Sequence, residues 1–471
     1  MQFNSYTFVA FFVTVLVVNN LIESWRAQKI WLLITSYVFY AAWDPVFIVL
    51  VWLSTAVDWV SAQQIVAAKT QRRKKLLMTL SVVVNLGVLG YFKYGNFILD
   101  NLVHALHAVG IDYQPPPFDI VLPIGISFYT FHSLSYTLDV YLGRTKPWTS
   151  FLDFALYVTF FPALVAGPIL RAWQFLPQCK EPRRTTSRQL AWGLALMVLG
   201  LFEKQVIADV VMAPAVDHVF TGTQSIGILD SWTGTLAFAG QILCDFAGYS
   251  TCAIGVAMCL GFSLPNNFCF PYAALGFSDF WRRWHISLST WLRDYLYIPL
   301  GGNRQGPTRT HVNLMLTMLI GGLWHGASWT FVVWGGLHGL YLVGERFVEP
   351  RLANAEWRHA AWARVAGVAL TFVLVCIAWV FFRANSFTQA FELLKGMFGM
   401  SHGRILESTN YPLVGFATVA ILAIHWYMRD RSIEQLAERT PWLVRSLALA
   451  VMVVCIVIMQ EKERAFIYFQ F

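Results

Sequence analysis

Residues 314–341 read LMLTMLIGGLWHGASWTFVVWGGLHGLY and contain no Asp, Glu, Lys or Arg. A helix that crosses a bilayer needs about 20 apolar residues, so the wider element at 311–347 is too long for one crossing and barely enough for two. Six glycines interrupt residues 314–341, at 321, 322, 326, 335, 336 and 339. Because irregular backbone at membrane depth normally lines a cavity, the pattern predicts a helix broken beside His325, at the floor of a pocket.

His325 is an ionisable side chain inside this uncharged run. A polar group at membrane depth is a functional candidate by default, with a substrate path or a proton relay as its usual reason. The alternative is a core histidine whose ring bonds a backbone carbonyl. A neutral imidazole there can act as a general base, taking the proton from an acceptor hydroxyl as that hydroxyl attacks an activated carbonyl.

The composition is that of a polytopic membrane protein. Of the residues, 57% are hydrophobic and only 13% are charged, which is more apolar surface than a soluble fold can hide. Residues 1–20 carry no Lys or Arg, so we expect a retained helix and not a cleaved signal peptide. The cysteines lie mostly inside apolar segments, so we expect no metal site. The chain lacks the motifs of serine hydrolases, P-loop NTPases and zinc proteases.

The net charge of +8 comes from short basic loops between apolar segments, a pattern that reports membrane orientation. Loops at 69–75, 171–188 and 429–445 are basic and are predicted to be cytoplasmic. The stretches 99–119 and 213–230 have no Lys or Arg and should face the other side. We therefore predict a single domain over 1–471 with both termini periplasmic.

These constraints predict an all-α protein with about 10–12 transmembrane helices. The crossings are placed near 6–22, 30–43, 46–62, 76–97, 119–141, 190–212, 231–262, 365–382, 411–428 and 446–460. The segment 151–170 contains Pro162, Gly167 and Pro168 and is predicted as a re-entrant hairpin. Near the end of the 365–382 crossing, Trp379, Phe381 and Phe382 are typical of an interfacial aromatic belt.

An aromatic and basic block lies at 280–304. The block is predicted as one continuous helix that Pro299, Gly301 and Gly302 end. It has an aromatic stripe, formed by Trp281, Trp284, His285, Leu288, Trp291, Leu292 and Tyr295. The arginines Arg282, Arg283 and Arg293 fall off that stripe and would reach the cytoplasmic interface. There they contact either anionic lipid or the phosphates of an acidic ligand. His285 lies on the aromatic face, where a role toward lipid is not available.

Several stretches carry a family likeness. They are LPIGISFY (122–129), GPILR (167–171), NNF (266–268) with PY (271–272), the block at 279–304, GGLWHGA (321–327) and FIYFQF (466–471). With these the chain resembles the membrane-bound O-acyltransferase (MBOAT) family, of the bacterial alginate O-acetyltransferase type. The resemblance implies an MBOAT-like bundle with re-entrant and interfacial helices around a central channel, and a catalytic core at about 120–347.

The resemblance implies that His325 is catalytic and that His285 is the second catalytic position. The implied donor-binding residues are Arg282, Arg283, Trp284, Arg293, Asn303 and Arg304. Supporting roles fall to Asp245, Trp324 and Asn267. One departure concerns residues 245–251, where Thr251 stands at a position that is acidic in the family pattern, so of this stretch only Asp245 is kept.

The resemblance also implies an O-acyltransferase in the bacterial inner membrane. Its donor would be a cytoplasmic thioester, acetyl-coenzyme A or an acyl carrier, with no permanently bound cofactor and no metal. The acyl group, above all acetyl, would be passed across the membrane for O-acetylation of an extracellular polysaccharide, as in alginate biosynthesis. A periplasmic or membrane-anchored transferase would be the partner, and nucleic acid would not.

Two alternatives stay open at this point. Transfer of D-alanine or another acyl group to a cell-envelope polymer would use the same residues. A transporter or flippase would also have broken helices and polar side chains at membrane depth, although we find no convincing internal repeat of the kind that many transporters carry.

Overall fold

The computed structural model describes residues 1–115, 120–165, 167–222, 225–352, 354–459 and 464–467. Within these ranges the regular structure is helical and no strand occurs. The predicted all-α class is confirmed. Several helices begin where a serine or threonine hydroxyl accepts a backbone N–H of the first turn. These N-caps are Ser5, Ser24, Thr70, Ser150 and Ser386.

The helices of the first part of the chain are α1 (Tyr6–Leu21), α2 (Trp25–Ala41), α3 (Ile48–Ala67), α4 (Gln71–Ala108), α5 (Ile126–Tyr141), α6 (Phe151–Thr159), α7 (Phe161–Leu164), α8 (Ala172–Phe175), α9 (Ser187–Leu201), α10 (Ala213–Thr221) and α11 (Ile228–Cys259). Short 3₁₀ turns occur at Pro45–Phe47 and Leu176–Cys179. A π-helical segment, Phe202–Met212, continues α9 into α10.

The helices of the second part are α12 (Phe277–Arg283), α13 (Ile286–Leu292), α14 (Gly306–His325), α15 (Trp329–Leu352), α16 (Ala361–Arg383), α17 (Phe387–Met397), α18 (Asn410–Met428), α19 (Ile433–Arg439) and α20 (Trp442–Ile458). A π-helical turn, Arg293–Tyr297, follows α13. Short 3₁₀ turns occur at Pro271–Ala273 and Glu356–His359.

The chain forms two compact units. The first comprises Met1–Leu194 and Ala253–Pro265, and the second comprises Ala195–Cys252 and Asn266–Phe471. The first unit contains helices α1 to α8, and the second contains helices α12 to α20. The predicted single domain with a catalytic core at about 120–347 stays a prediction.

Five helical segments of the described chain are long and apolar enough to cross a membrane. They are Pro45–Ala67, Gln71–Ala108, Ile228–Cys259, Ala361–Arg383 and Asn410–Met428. Apolar side chains also point outward, as on α1, where Val9, Val13 and Val17 are each more than half exposed. Such a surface suits lipid and not water. The protein is a multi-pass membrane protein, while the number of crossings, the orientation of the termini and the central channel stay predictions.

Two predicted boundaries are wrong. The crossing at 76–97 is part of α4, which continues without interruption to Ala108, because residues 98–108 contain neither Pro nor Gly to end the helix. The crossing at 119–141 begins as a helix only at Ile126. Gly125 before it has a φ of 77°, a left-handed conformation that glycine adopts without steric cost.

The segment 151–170 departs from a single crossing helix, as predicted. It forms α6 and the one-turn helix α7, after which Gly167 and Pro168 lie in buried non-helical backbone. Residue 166 lies outside the described residues.

The prediction of one continuous helix from residue 280 to Pro299 is wrong, while its predicted end at Pro299, Gly301 and Gly302 is confirmed. The helical pattern is interrupted between α12 and α13, where Trp284 is extended and His285 has a φ of 42°. Beyond α13 the backbone widens into the π-helical turn and then leaves the helix at Gly301 and Gly302, which both have positive φ. At seven residues each, α12 and α13 are about 10 Å long and cannot span a bilayer.

Glycines let α14 and α15 approach closely. A Cβ added to Gly322 would lie 2.3 Å from the carbonyl oxygen of Phe331, and one added to Gly335 would lie 2.2 Å from that of Met318. Small residues at such crossings allow backbones to pack directly against each other. The glycines that mark this stretch in the sequence therefore join the two halves of the broken element.

We expect Gly335→Ala to destabilise the α14/α15 pair. The new methyl group would overlap a backbone oxygen that cannot rotate away, so the free energy of unfolding should fall by about 1–3 kcal/mol, the usual cost of overpacking. Thermal melting of the purified protein in detergent measures this. Gly344→Ala is the matched control, because Gly344 lies on the same helix with nothing within 4 Å of its added Cβ. Equal melting temperatures for the two variants would contradict the close-packing argument.

Candidate active site

His325 is the last residue of α14. Gly326 after it is extended, with φ −163° and ψ 154°, and α15 begins at Trp329. The prediction of a helix broken beside His325 is confirmed. The imidazole is only 3% exposed, so the break lies in the protein interior.

Aromatic rings surround His325 on several sides. Its ring centroid lies 5.0 Å from that of Trp324, 4.9 Å from that of Trp334 on α15 and 5.2 Å from that of Phe382 on α16. Three of these contacts are edge-on, at interplanar angles of 79°, 86° and 68°. The rings exclude water from the imidazole, which strengthens its electrostatic interactions.

The expectation that Trp379, Phe381 and Phe382 form an interfacial belt is wrong. All three are buried, and Trp379 stacks on Trp334 with ring centroids 5.7 Å apart. An aromatic cluster near the end of an apolar helix serves a lipid interface or a helix contact equally well in sequence. Here the helix packs inward, and Phe382 becomes a neighbour of His325.

His285 lies at the junction of α12 and α13 and caps the second helix. Its Nδ1 accepts the backbone N–H of Leu288 at 3.3 Å, so in the neutral ring Nε2 carries the hydrogen. Nε2 is buried and has no hydrogen-bond partner among the described residues. Burial lowers the pKa of the His285 imidazole to about 3, so the ring is neutral at physiological pH and presents an N–H donor in an apolar setting.

Trp324 links the two histidines. Its ring centroid lies 5.0 Å from that of His325 and 5.8 Å from that of His285. On its other side, His285 meets the edge of Phe246 at 4.6 Å. The structure thus brings both predicted catalytic histidines, from separate helices, to one tryptophan.

Asn267 holds the junction that carries His285. Its side-chain oxygen accepts the N–H and the hydroxyl of Ser287, at 3.2 Å and 2.8 Å, and its backbone oxygen accepts the N–H of Ile286 at 2.9 Å. Its amide nitrogen donates to the hydroxyl of Ser250 on α11 at 3.0 Å. Asn267 therefore fixes the start of α13, and with it the left-handed backbone of His285.

Asp245 belongs to a buried ion network that the sequence did not reveal. Lys204, on the π-helical segment, forms ion pairs with Asp209, at 2.9 Å, and with Asp245 on α11. Asp245 also accepts the backbone N–H of Ile467 at 2.8 Å. Asp209 is only five residues from Lys204, but Asp245 and Ile467 lie too far along the chain for a local pattern to join them to it.

The ion network around Asp245 is connected to His285 through Phe466, next to Ile467 at the end of the described chain. Phe466 packs on Phe246 and on Tyr249, at ring distances of 5.5 Å and 4.8 Å, and Phe246 in turn meets His285. Residues 468–471 of the family-like terminal stretch lie outside the described residues.

The predicted donor-binding residues fall into two groups. Arg283 is largely buried and bonds Asp279 at 2.9 Å and the backbone oxygen of Arg429 at 2.8 Å, while Trp284 is fully buried. The exposed members are Arg282, Arg293, Asn303 and Arg304. Only the exposed group can meet a ligand in solution without rearrangement, and the donor-binding role of all six stays a prediction.

Comparison with known proteins adds a family relationship to this geometry. The model of the MBOAT, membrane-bound O-acyltransferase family, matches residues 3–388. The chain is 41% identical to the probable alginate O-acetylase AlgI of Pseudomonas aeruginosa, over 88% of this chain and 78% of that protein.

Other relatives are named for transfer to other polymers. The peptidoglycan O-acetyltransferase of Helicobacter pylori is 37% identical, over 79% of this chain and 74% of that protein. The teichoic acid D-alanyltransferase of Bacillus subtilis is 25% identical, over 58% of this chain and 71% of that protein. All three names describe the transfer of an acyl group to a cell-envelope or extracellular polymer.

Proposed function

This chain belongs to the membrane-bound O-acyltransferase family and is an O-acyltransferase, and we propose that it moves acetyl groups from a cytoplasmic thioester toward an extracellular polysaccharide. Its location would be the bacterial inner membrane. The transporter alternative loses its ground, because the family and the relatives are named for acyl transfer. Alginate is the first acceptor to test, because relatives at 41% identity carry that name.

The observation that carries the proposal is the pair of buried histidines whose rings both lie against Trp324. In the proposed reaction an acceptor hydroxyl attacks the thioester carbonyl, its oxygen forms the new bond to carbon, and the carbon–sulfur bond breaks. His325 takes the proton of the hydroxyl as general base, and the thiolate leaves with the carrier. The aromatic surroundings keep water out, which favours transfer over hydrolysis.

His285 would contribute a hydrogen-bond donor. Its Nε2–H has no partner among the described residues, and a fixed donor in an apolar setting stabilises the negative charge that develops on the carbonyl oxygen. Because the ring is held by the Leu288 N–H and by the Asn267 contacts around it, the donor is pre-oriented. The catalytic roles of both histidines rest on this proposal.

Proteoliposomes of defined orientation test the function. Acetyl-coenzyme A labelled in the acetyl group is supplied on the cytoplasmic side, with polysaccharide and a periplasmic transferase on the other side. We expect label on the polymer only when all components are present. Label that reaches the polymer from a D-alanyl carrier, and not from acetyl-coenzyme A, would favour the D-alanyl alternative. Acetyl transfer that stays on the cytoplasmic side would contradict the proposed direction.

Arg282 is the best single test of donor binding. It is exposed, and its side chain donates to the backbone oxygen of Ser278 at 3.1 Å, within its own helix, so its loss should not disturb the fold. If it meets donor phosphates, Arg282→Ala should raise KM for the donor about 5- to 50-fold, with kcat unchanged, the loss expected for one charge-assisted contact.

Arg431→Ala is the matched control for this variant. Arg431 is also exposed and basic, and its guanidinium lies over the ring of Tyr427. The substitution therefore removes the same charge at a different place. An unchanged KM in Arg282→Ala would leave only the lipid-contact interpretation for that residue.

A further inference from the structure

Two residues with a strained backbone lie in neighbouring segments of the second unit. Among the described residues, Phe270 and His285 are the two that are not glycine and yet have positive φ, at 49° and 42°. Residues with large side chains rarely adopt this conformation. Such strain persists only where the surrounding structure holds it, and it collects at functional sites. The contacts that hold these two residues therefore bear on the role of His285.

The segments that carry Phe270 and His285 are bonded to each other. The backbone N–H of Cys269 donates to the carbonyl oxygen of Arg283 at 2.9 Å. In return, the Arg283 guanidinium donates to the carbonyl oxygen of Cys269 at 3.3 Å. Because His285 follows Arg283 by only two residues, whatever fixes Arg283 also limits where the backbone of His285 can lie.

Arg283 belongs to an ionic cluster between α12 and the end of α18. The carboxylate of Asp279 accepts Nε–H of Arg283 on one oxygen and Nη2–H of Arg429 on the other, each at 2.9 Å. Arg283 also donates to the carbonyl oxygen of Arg429 at 2.8 Å, at the C-terminus of α18, where the helix dipole favours positive charge. The side chains of Arg283, Arg429 and Asp279 are 13%, 14% and 16% exposed, so solvent screens these pairs little.

The end of α18 also holds the segment that precedes α12. His425 lies four residues before Arg429, on the same face of the helix. Its Nδ1 accepts the backbone N–H of Tyr272 at 3.1 Å, and its ring meets that of Phe270 edge-on, with centroids 5.6 Å apart. Arg429 donates to the carbonyl oxygen of Ala273 at 2.9 Å. The last turn of α18 thus contacts the segment on either side of α12's start, including one of the two strained residues.

The guanidinium of Arg283 is engaged at all three nitrogens. Nε bonds Asp279, Nη1 bonds the carbonyl oxygens of Cys269 and Arg429, and Nη2 lies 3.8 Å from the carboxylate of Asp430. A donor phosphate can reach Arg283 only by displacing these groups. The geometry therefore favours a role in holding the backbone, in place of the donor-binding role that the sequence resemblance implies. The planar guanidinium suits this role because its fork bonds several oxygens in fixed directions.

We propose that Arg283 and Arg429, together with Asp279 and His425, are positioning residues that set the place of the His285 imidazole. These four residues are called here the α12–α18 clamp. The proposal rests on the proposed function, because the clamp affects the reaction only through the Nε2–H that His285 would offer to the carbonyl oxygen. Arg283 and Arg429 themselves contact neither donor nor acceptor.

Arg429→Ala in the full-length protein tests the clamp, because it removes two bonds that reach the 273–279 segment from α18. A displacement of about 1 Å can cost about 100-fold in rate. We therefore expect kcat for labelled acetyl transfer to fall about 10- to 100-fold, with KM for acetyl-coenzyme A unchanged. Arg431→Ala is the matched control and should keep the wild-type kcat. Arg431 lies two residues later and donates to the carbonyl oxygen of Tyr427, within the same turn of chain.

A double-mutant cycle shows whether the clamp acts through His285. Residues that act through one group are not additive. Once His285→Gly has removed the donor, adding Arg429→Ala should therefore lower kcat by less than about threefold. An equal loss of kcat in both backgrounds, or a raised KM with kcat unchanged, would overturn the proposal.

Nuclear magnetic resonance of protein labelled in its histidine rings gives a readout that needs no activity. The His285 signal, identified by its absence from His285→Asn, should shift in Arg429→Ala and stay in place in Arg431→Ala. If Arg429→Ala does not fold, Asp279→Asn decides, because it keeps the size of the side chain and weakens both ion pairs. An unmoved His285 signal in the folded clamp variant contradicts the positioning role. A shifted signal in a protein whose wild type transfers no acetyl would leave the clamp in place and end the proposed function instead.

Discussion

In His325→Ala, the rate of acetyl transfer is expected to fall about 100- to 10,000-fold, the range that positioned general bases contribute. The reason is that His325 is the imidazole at the break between α14 and α15, enclosed by Trp324, Trp334 and Phe382. Water cannot readily replace a base in such surroundings. Labelled acetyl transfer from acetyl-coenzyme A, measured at saturating donor, gives the loss in kcat.

His311→Ala is the matched control. His311 lies on the same helix, two turns or more from the break, and contacts Phe347, so it reports the general effect of losing a histidine from α14. We expect it to keep the wild-type rate. The melting temperature of His325→Ala should stay close to that of the wild type, so that the loss belongs to chemistry. Undiminished transfer by folded His325→Ala would end the general-base assignment.

Much of the region around His325 could be predicted from the sequence. A histidine in an uncharged run, with glycines on both sides, predicts a helix break at a buried polar residue, and the structure has that break beside His325. The signal is strong because it is local: glycine spacing and the absence of charge act within a few turns of one helix. The all-α class follows from composition for the same reason.

The errors concern backbone conformations that are set by residues close in space but distant in the chain. Residues 280–304 have the 3.6-residue period of a helix, yet the chain breaks at His285, whose ring caps α13 while Asn267 holds Ser287. Asn267 is distant in sequence, so no window centred on His285 contains it. Periodicity reports which side chains are apolar, and it does not report a single residue that adopts positive φ.

Contacts between residues that are distant in the chain could likewise not be predicted from the sequence. Lys204 is next to Glu203 in the sequence, whereas its partner Asp245 lies on another helix. Phe382 was assigned to the lipid interface, and it packs on His325. The misassignment of Phe382 has a physical cause: the same residue types occur at the lipid interface, in the core and in the site, and only the packing of the helices separates these uses.

His285 should separate a structural role from a chemical one more sharply than any other position. Asparagine tolerates positive φ, can accept the Leu288 N–H as a cap and still offers an N–H donor. Glycine also accepts a φ of 42°, but it has no side chain that could cap α13 or donate a hydrogen bond. We therefore expect His285→Asn to keep transfer within about tenfold of wild type, and His285→Gly to lose about 100- to 1,000-fold in kcat, as for one oxyanion donor.

The melting temperature distinguishes the two roles of His285. Loss of the cap in His285→Gly should cost only about a few tenths of a kcal/mol of stability, and this is offset because glycine relieves the left-handed strain. If the role were structural alone, transfer per folded molecule would match the wild type in both variants. Because burial lowers the pKa of His285 to about 3, the ring stays a neutral donor from pH 5 to 8. Any titration of kcat in that interval must then come from another group, and a His285→Asn profile that shifted its midpoint would contradict a neutral donor.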